Sequence, residues 1–448
     1  MKRLKRILSD LRSYPSAVVG LVIILLLVGL SIYTAVTIPY SKAIALWRGG
    51  VGVWDETPRL AYPAWYNWIS GKNLPPTLIY DSAKEGQVER TERVDSAGNK
   101  QITLIYTIDY PYEGFLQEMS VFFTASYKEA KPNAGMTWIT PDGREVNLGN
   151  TSVGATEIVY ISQNEKLQRR LGGRAPNEGL FADPDSEALV LLNGTYQLRI
   201  DIFTFEPDTT VDAKLVLFGQ VHGIAGTDHL RRDISIALMW GTPIALSFGL
   251  LAALGISLTT MLIAAVATWY GGWVDSLIQR ITNVNMVLPF LSILIMVGTF
   301  YDRSIWVMLG MTILLSIFGG AILNYRSIFM QIKESPFVEA AKAYGANDWR
   351  VITRYLVPRI IPLLIPALVS GIPSYVFLEA SLAVLGLGDP TLPTWGKVIN
   401  EAYFNGALYQ GLYYWVLEPA ILLMLTGLAF ALLGFALDRM FNPRLRGM

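Results

Sequence analysis

The chain has 448 residues, 52% of them hydrophobic and only 16% charged, with a mean hydropathy of +0.38; that is too apolar for an ordinary soluble domain of this length and puts the chain in a lipid bilayer. Thirty-six Lys and Arg balance 36 Asp and Glu, so net charge gives no reason to expect a nucleic-acid partner. Cysteine is absent and His222 and His229 are the only histidines, which removes disulfides, thiolate metal sites and Cys nucleophiles and leaves almost no room for a His-based metal site or triad.

A spanning helix needs about 20 predominantly apolar residues. Six segments are candidates, the first being residues 17–38, behind the basic residues Lys2, Arg3, Lys5, Arg6 and Arg12. It is long and has no Ala-x-Ala site, so it is expected to be an anchor and not a cleaved signal.

From about residue 40 to 221 the sequence turns polar and strand-like. β-branched and aromatic runs at 101–108, 119–125, 136–139, 157–161, 188–192, 196–203 and 213–218 predict an all-β, sandwich-like domain of about seven strands. Asp142-Gly143 and Asn193-Gly194 are the hairpin signals, because these pairs tolerate positive φ. Residues 72–221 carry 14 basic and 21 acidic side chains, an acidic surface that is either simply solvated or a docking face for a basic or polar partner. Asn150 and Asn193 begin weak glycosylation sequons.

The other spans are expected at 242–269, 284–299, 305–323, 360–385 and 416–437. Basic residues gather in the N-terminal tail, after the fourth span (Arg326, Lys333, Lys342, Arg350, Arg354, Arg359) and at the C-terminal end (Arg439, Arg444, Arg446), whereas the opposite short loops hold little beyond Arg303 and Lys397. The positive-inside bias makes those three regions, and both termini, cytoplasmic and leaves residues 40–221 extracellular or periplasmic. The expected domains are thus 1–39, 40–221 and 222–448.

After the fourth span, Val338, Ala341, Tyr344 and Gly345 alternate with Glu339, Lys342, Asn347, Asp348 and Arg350, which predicts two short helices hinged near Gly345-Ala346-Asn347. The small residues Ala340, Ala341 and Ala343 would let a partner's groove approach the backbone, with Glu339 available for pairing. The alternative is an amphipathic helix lying on lipid headgroups. In the fifth span a carboxylate, Glu379, would cost about 2.5–3.5 kcal/mol at a helix centre on insertion scales. It is expected to face the protein interior, water or a partner helix, either beside a translocation pathway or as a structural hydrogen bond. Pro362, Pro366 and Pro373, with Gly371, predict a bent helix, and Tyr375 and Phe377 are candidate pathway residues, although such aromatics more often pack.

No Gly-x-x-x-x-Gly-Lys-[Ser/Thr], His-Glu-x-x-His or Gly-x-Ser-x-Gly motif is present, so nucleotide hydrolysis by a phosphate-binding loop is excluded and no enzyme site is expected. Energy for an active process would come from another subunit or an ion gradient.

Glu339-Ala340-Ala341, Gly345 and Leu356-Val357-Pro358 resemble the EAA loop of permease subunits of ATP-binding-cassette (ABC) importers. Several further motifs resemble, in the family's order, the "C"-type subunit of the dipeptide/oligopeptide permease branch. They are Gly226-Thr227-Asp228 with Arg232-Asp233, Gly271-Gly272-Trp273-Val274-Asp275 with Arg280, Pro289, and Glu379-Ala380-Ser381-Leu382. Leu385-Gly386-Leu387-Gly388, Pro393-Thr394-Trp395-Gly396 and Asn442-Pro443-Arg444-Leu445-Arg446 complete the set.

The resemblance implies the six-helix type I ABC importer permease fold and an ATPase-coupling loop (about 327–358) containing Glu339, Ala340, Ala341, Gly345 and Pro358. It also implies a second homologous permease, two cytoplasmic ATPase subunits using ATP and Mg, an extracellular substrate-binding protein, and no cofactor bound by this chain. The sequence departs from the branch at Arg231 (usually Gly), Asn283 (usually Asp), Ala383-Val384 (usually Ser-Phe) and in the long insert. The cargo stays open between peptide, oligosaccharide and metal chelate. A membrane receptor with an extracellular β-domain is the alternative, but only a few residues follow Leu437 to form an output domain; a secondary transporter would be expected to show paired interrupted helices.

Overall fold

The computed structural model describes residues 14–94, 99–186 and 189–441. The basic residues from Lys2 to Arg12, the motif from Asn442 to Arg446 and Ala188 lie outside the described residues. The chain divides into two compact units, one formed by residues up to 48 together with 236 onward, the other by residues 49–235.

In the first unit, α1 (Pro15–Thr37) is 23 residues long, about 34 Å at 1.5 Å per residue, enough to cross a hydrocarbon core of about 30 Å. It is followed by α2 (Tyr40–Arg48), then α3 (Ile234–Tyr270), α4 (Gly272–Val287), α5 (Phe290–Phe300), α6 (Ile305–Ile317) and α7 (Ala321–Lys333). The remainder are α8 (Pro336–Ala343), α9 (Asp348–Val351), α10 (Val357–Leu382), α11 (Trp395–Phe404) and α12 (Tyr414–Phe441).

Among the described residues, four helical stretches are long and apolar enough to cross a membrane unbroken: α1, α3, the run 348–387 containing α10, and α12. The segments expected as straight third and fourth spans are instead bent pairs, α4 with α5 at 77° and α6 with α7 at 48°. At the first bend Pro289 has no N–H to donate and holds Leu288 in an extended conformation (ψ 138°), which ends α4. Asn285 spans the second bend: its amide donates to the carbonyls of Leu315 (2.7 Å) and Phe318 (3.3 Å), acceptors that the end of α6 leaves free. The three prolines of α10 do not divide it; it runs unbroken from Val357 to Leu382, and the irregularity falls in the π-helical turns on either side, 352–356 and 383–387.

Small residues bring the long helices together. Gly20 of α1, against the Ala429 carbonyl of α12, and Gly427 and Gly434 of α12, facing Phe377 and Ser370 of α10, leave no room for a larger side chain.

The described residues of the second unit form a sandwich of nine strands. One sheet has the order β1-β9-β4-β7 and the other β2-β3-β8-β5-β6, all pairs antiparallel. The strands are β1 (Leu78–Asp81), β2 (Glu89–Val94), β3 (Lys100–Tyr110), β4 (Glu118–Ser126), β5 (Asn133–Ile139), β6 (Glu145–Ser152), β7 (Thr156–Tyr160), β8 (Gly194–Thr204) and β9 (Thr210–Phe218). Alternate residues of both sheets, among them Leu104, Tyr106, Leu198 and Ile200 from one and Val121, Phe123, Ala213 and Leu215 from the other, form a single core.

Two expectations are corrected here. Residues 189–192 are not a strand, because their backbone closes on a preceding loop (Leu192 N–H to Phe181 O, 2.8 Å), so Asn193-Gly194 opens β8 and does not turn a hairpin. β1, β2 and β6 are additional; β2, Glu-Arg-Thr-Glu-Arg-Val, is exposed throughout and carries no apolar alternation to betray it. Asp142-Gly143 does turn the β5–β6 hairpin, with Gly143 at φ 85° and its N–H on Thr140 O at 2.9 Å.

The domain edges anticipated at 40 and 221 move to 49 and 235. Residues 40–48 are helical, with Ala43 and Trp47 buried. The segment after β9 is laced to the one before β1 by backbone bonds from Tyr62 to Gln220, Ala64 to Gly223 and Leu60 to Asp228, so the chain's entry and exit belong to the β unit.

Candidate functional site

The loop after α7 begins with Pro336 in the first turn of α8, where a missing N–H costs nothing. α8 ends where Gly345 takes φ 79°, a left-handed conformation that favours glycine. Asn347 then caps α9, accepting from the Arg350 N–H at 2.8 Å. Pro358 sits in the first turn of α10, exposed.

Burial sorts the predicted residues of α8 into two faces. Val338 points inward, into a core with Met261, Phe329, Val351 and Leu356, and Ala341 is buried as well. Glu339, Ala340, Ala343 and Gly345 face out, flanked by Tyr344 (93% exposed) and Trp349 (59%). Tyr344, expected on the apolar inner face, is therefore on the opposite one, and Ala341 belongs to the packing and not to the exposed patch. The turn at Gly345 redirects the chain just where the helical spacing would have carried Tyr344 inward.

This loop is fastened to the end of α3 by contacts that sequence reading did not identify. Lys333 donates to the carbonyls of Thr268 and Trp269, each at 3.0 Å, and places its charge at the negative end of α3. The Lys342 ammonium lies over the buried Trp269 ring, 4.4 Å from its centre, and the Arg359 guanidinium lies over Phe337 at 4.8 Å. Asp275 of α4 receives both arms of Arg326 of α7, at 2.7 and 2.6 Å, and the Gln279 amide at 2.7 Å. Two lysines in the loop after the fourth span and a tryptophan at another span's end were the available signals, but nothing in their spacing pairs them.

The second group of predicted residues lies on α10. Glu379 is buried, 6% exposed, and lines a small cavity together with Thr394. The Thr394 side-chain oxygen accepts from the Lys397 N–H at 3.3 Å. Arg303, Phe248 and Asp389 border the same small cavity, about 20 Å³. Tyr375, one turn before Glu379 on the same face, packs with Phe248 and Ala252 of α3. Phe377 points away from both, onto Gly427 of α12. The structure thus groups Tyr375 with Glu379 and separates Phe377 from them. Trp395, beside Thr394, is fully buried with its Nε1 donating to Leu238 O at 2.9 Å, which locks the start of α11 against α3.

Residues 256–447 match the family described as binding-protein-dependent transport system inner membrane component. The chain is 31% identical over 223 residues to the glutathione transport system permease protein GsiD of Pectobacterium atrosepticum, an alignment covering 49% of this chain and 72% of that one. It is 30% identical over 224 residues to the dipeptide transport system permease protein DppC of Bacillus subtilis, covering 49% and 68%. With DppC of Alkalihalophilus pseudofirmus the identity is 28% over 224 residues, covering 49% and 72%. The family match takes in the 336–358 loop, Glu379 and every helix from α4 onward, whereas the β unit precedes it. The subunits of this family are transport components and not ATPases, so the chain belongs to the multi-pass inner-membrane permeases of binding-protein-dependent ABC importers, in their dipeptide/oligopeptide branch.

Proposed function

We propose that the chain carries peptides inward across the cytoplasmic membrane as one of two homologous permease subunits, driven by two ATPase subunits that use ATP and Mg and supplied by an extracellular binding protein. Peptide cargo is the reading favoured over oligosaccharide or metal chelate because the relatives aligned above are dipeptide and glutathione permeases. Counting each bent pair as one crossing gives six spans, so both termini share a side. The arginines and lysines around the 336–358 loop make that side cytoplasmic, and residues 49–235 then lie outside.

The observation that carries the proposal is the two-sided build of α8. Its inner face is cored and cation–π-clamped to α3, while its outer face offers Glu339, Ala340 and Ala343, followed by the exposed rings of Tyr344 and Trp349. A helix held rigidly by the spans and presenting small residues outward transmits a push from a partner's groove, with Gly345 and Pro358 setting the angles at which force enters α9 and α10. On this reading Glu379 and Tyr375 line or brace the pathway, and Phe377 serves packing.

Because the chain has no cysteine, Ala340→Cys introduces a single reactive thiol. In the assembled transporter, a short thiol-reactive crosslinker at this position should capture an ATP-hydrolysing subunit. Capture of lipid alone would overturn the proposal.

A further inference from the structure

Between α2, α3 and α6 lies a mostly apolar cavity of about 210 Å³, lined chiefly by Tyr40, Trp240, Ser247, Phe248, Trp306 and Leu309. An apolar cavity of about 150 Å³ already suffices to bind benzene. Trp240 is 8% exposed, and its ring meets that of Tyr40 at 5.5 Å. Its indole Nε1 is buried without a hydrogen-bond acceptor. A buried donor left unpaired costs about 1–3 kcal/mol, so the site calls for a ligand that is apolar in bulk and carries an acceptor at one point.

Position limits what that ligand is. Tyr40 opens α2 three residues beyond the end of α1, Trp306 is the second residue of α6, and Trp240 is the seventh of α3, roughly 9 Å from its start. All three therefore sit where membrane helices begin or end, the depth at which Trp and Tyr gather and where lipid chains join their headgroups.

We propose that this cavity is a phospholipid site, taking the upper part of one acyl chain while the chain's ester carbonyl accepts the Trp240 Nε1–H. Its occupant holds the first turn of α6 against α3 and seals the side of the bundle. The proposal requires only that these helices cross a bilayer, so it stands apart from cargo and coupling.

The test uses the complete transporter in nanodiscs containing a diester phosphatidylcholine with a photoreactive group on its acyl chain. Illumination should label the α3 peptide containing Trp240, and Ser247→Phe, which fills the cavity, should abolish most of that labelling. Unlabelled diester lipid should compete roughly two- to tenfold better than its diether analogue, the span of one net hydrogen bond. Trp240→Phe, which keeps the ring but not the donor, should reduce that preference to none. Undiminished labelling in Ser247→Phe, no diester preference in the unsubstituted chain, an unchanged preference in Trp240→Phe, or crosslinking of a neighbouring permease in place of lipid would each overturn the proposal.

Discussion

Arg231 stands where the branch usually has glycine, and its backbone remains in the left-handed region, at φ 66°. The strain, about 1–2 kcal/mol for a residue bearing a Cβ, is offset by what the side chain reaches. The guanidinium donates to Thr57 O at 2.8 Å, pairs closely with Glu118 and lies over the Phe218 ring at 4.8 Å. Arg231→Ala keeps the strain and loses the contacts, whereas Arg231→Gly loses the contacts but relieves the strain. Thermal unfolding of the purified protein should therefore find the alanine variant less stable than the glycine variant by about 1 kcal/mol. Equal midpoints would mean that the conformation is not strained.

Glu206 illustrates a carboxylate used as a loop organiser. Its oxygens accept the backbone N–H groups of Ala130, Lys128 and Glu129 at 2.7–2.8 Å, and these bonds hold its carboxyl group down at about 2. A depressed folded-state value contributes stability that is present above the unfolded value of about 4.3 and is lost as pH falls from there toward 2. Glu206→Gln should lower the stability of the β unit at neutral pH and flatten its acid unfolding in that window, as followed by circular dichroism. An acid limb as steep as in the unsubstituted protein would refute this role.

At the scale of elements, the clamp between α3 and α8 is the feature on which the proposed coupling turns. Trp269→Leu keeps the position apolar, at the loss of some volume, and removes the ring face on which Lys342 rests. Gly345→Pro forces φ toward −65° and deletes an N–H that donates to Lys342 O at 2.9 Å. Both variants should insert and assemble, hydrolyse ATP, and lose most uptake in vesicles where the two rates are measured together. Normal transport by Gly345→Pro would remove the loop from the mechanism. The exposed face of α8 was legible in the residue types, because Glu339, Ala340 and Ala343 share one side of any helix drawn through them. Its orientation was not, because burial of Ala341 and exposure of Tyr344 depend on α3 and α7 lying beneath.

Across the whole molecule the two units have separate cores: the sandwich closes on its own residues and the helices on theirs. Replacing residues 72–221 with a short linker should leave membrane insertion intact. If the acidic β unit docks the binding protein, the same deletion should weaken that protein's affinity for the transporter, and unchanged affinity would exclude docking.

By itself the sequence determined the membrane class, the β-rich insert, the absence of a phosphate-binding loop and the motif order of the permease branch. These are written in composition, period and local spacing, which neighbouring residues alone establish. The bends at Pro289 and Phe318, the exposed strand β2, the Lys342–Trp269 clamp, the meeting of Glu379 and Thr394 at one cavity and the left-handed Arg231 were decided only in the tertiary structure. Each joins or positions residues distant along the chain, and the energy of such a contact depends on packing and desolvation that come into being only once the elements have met.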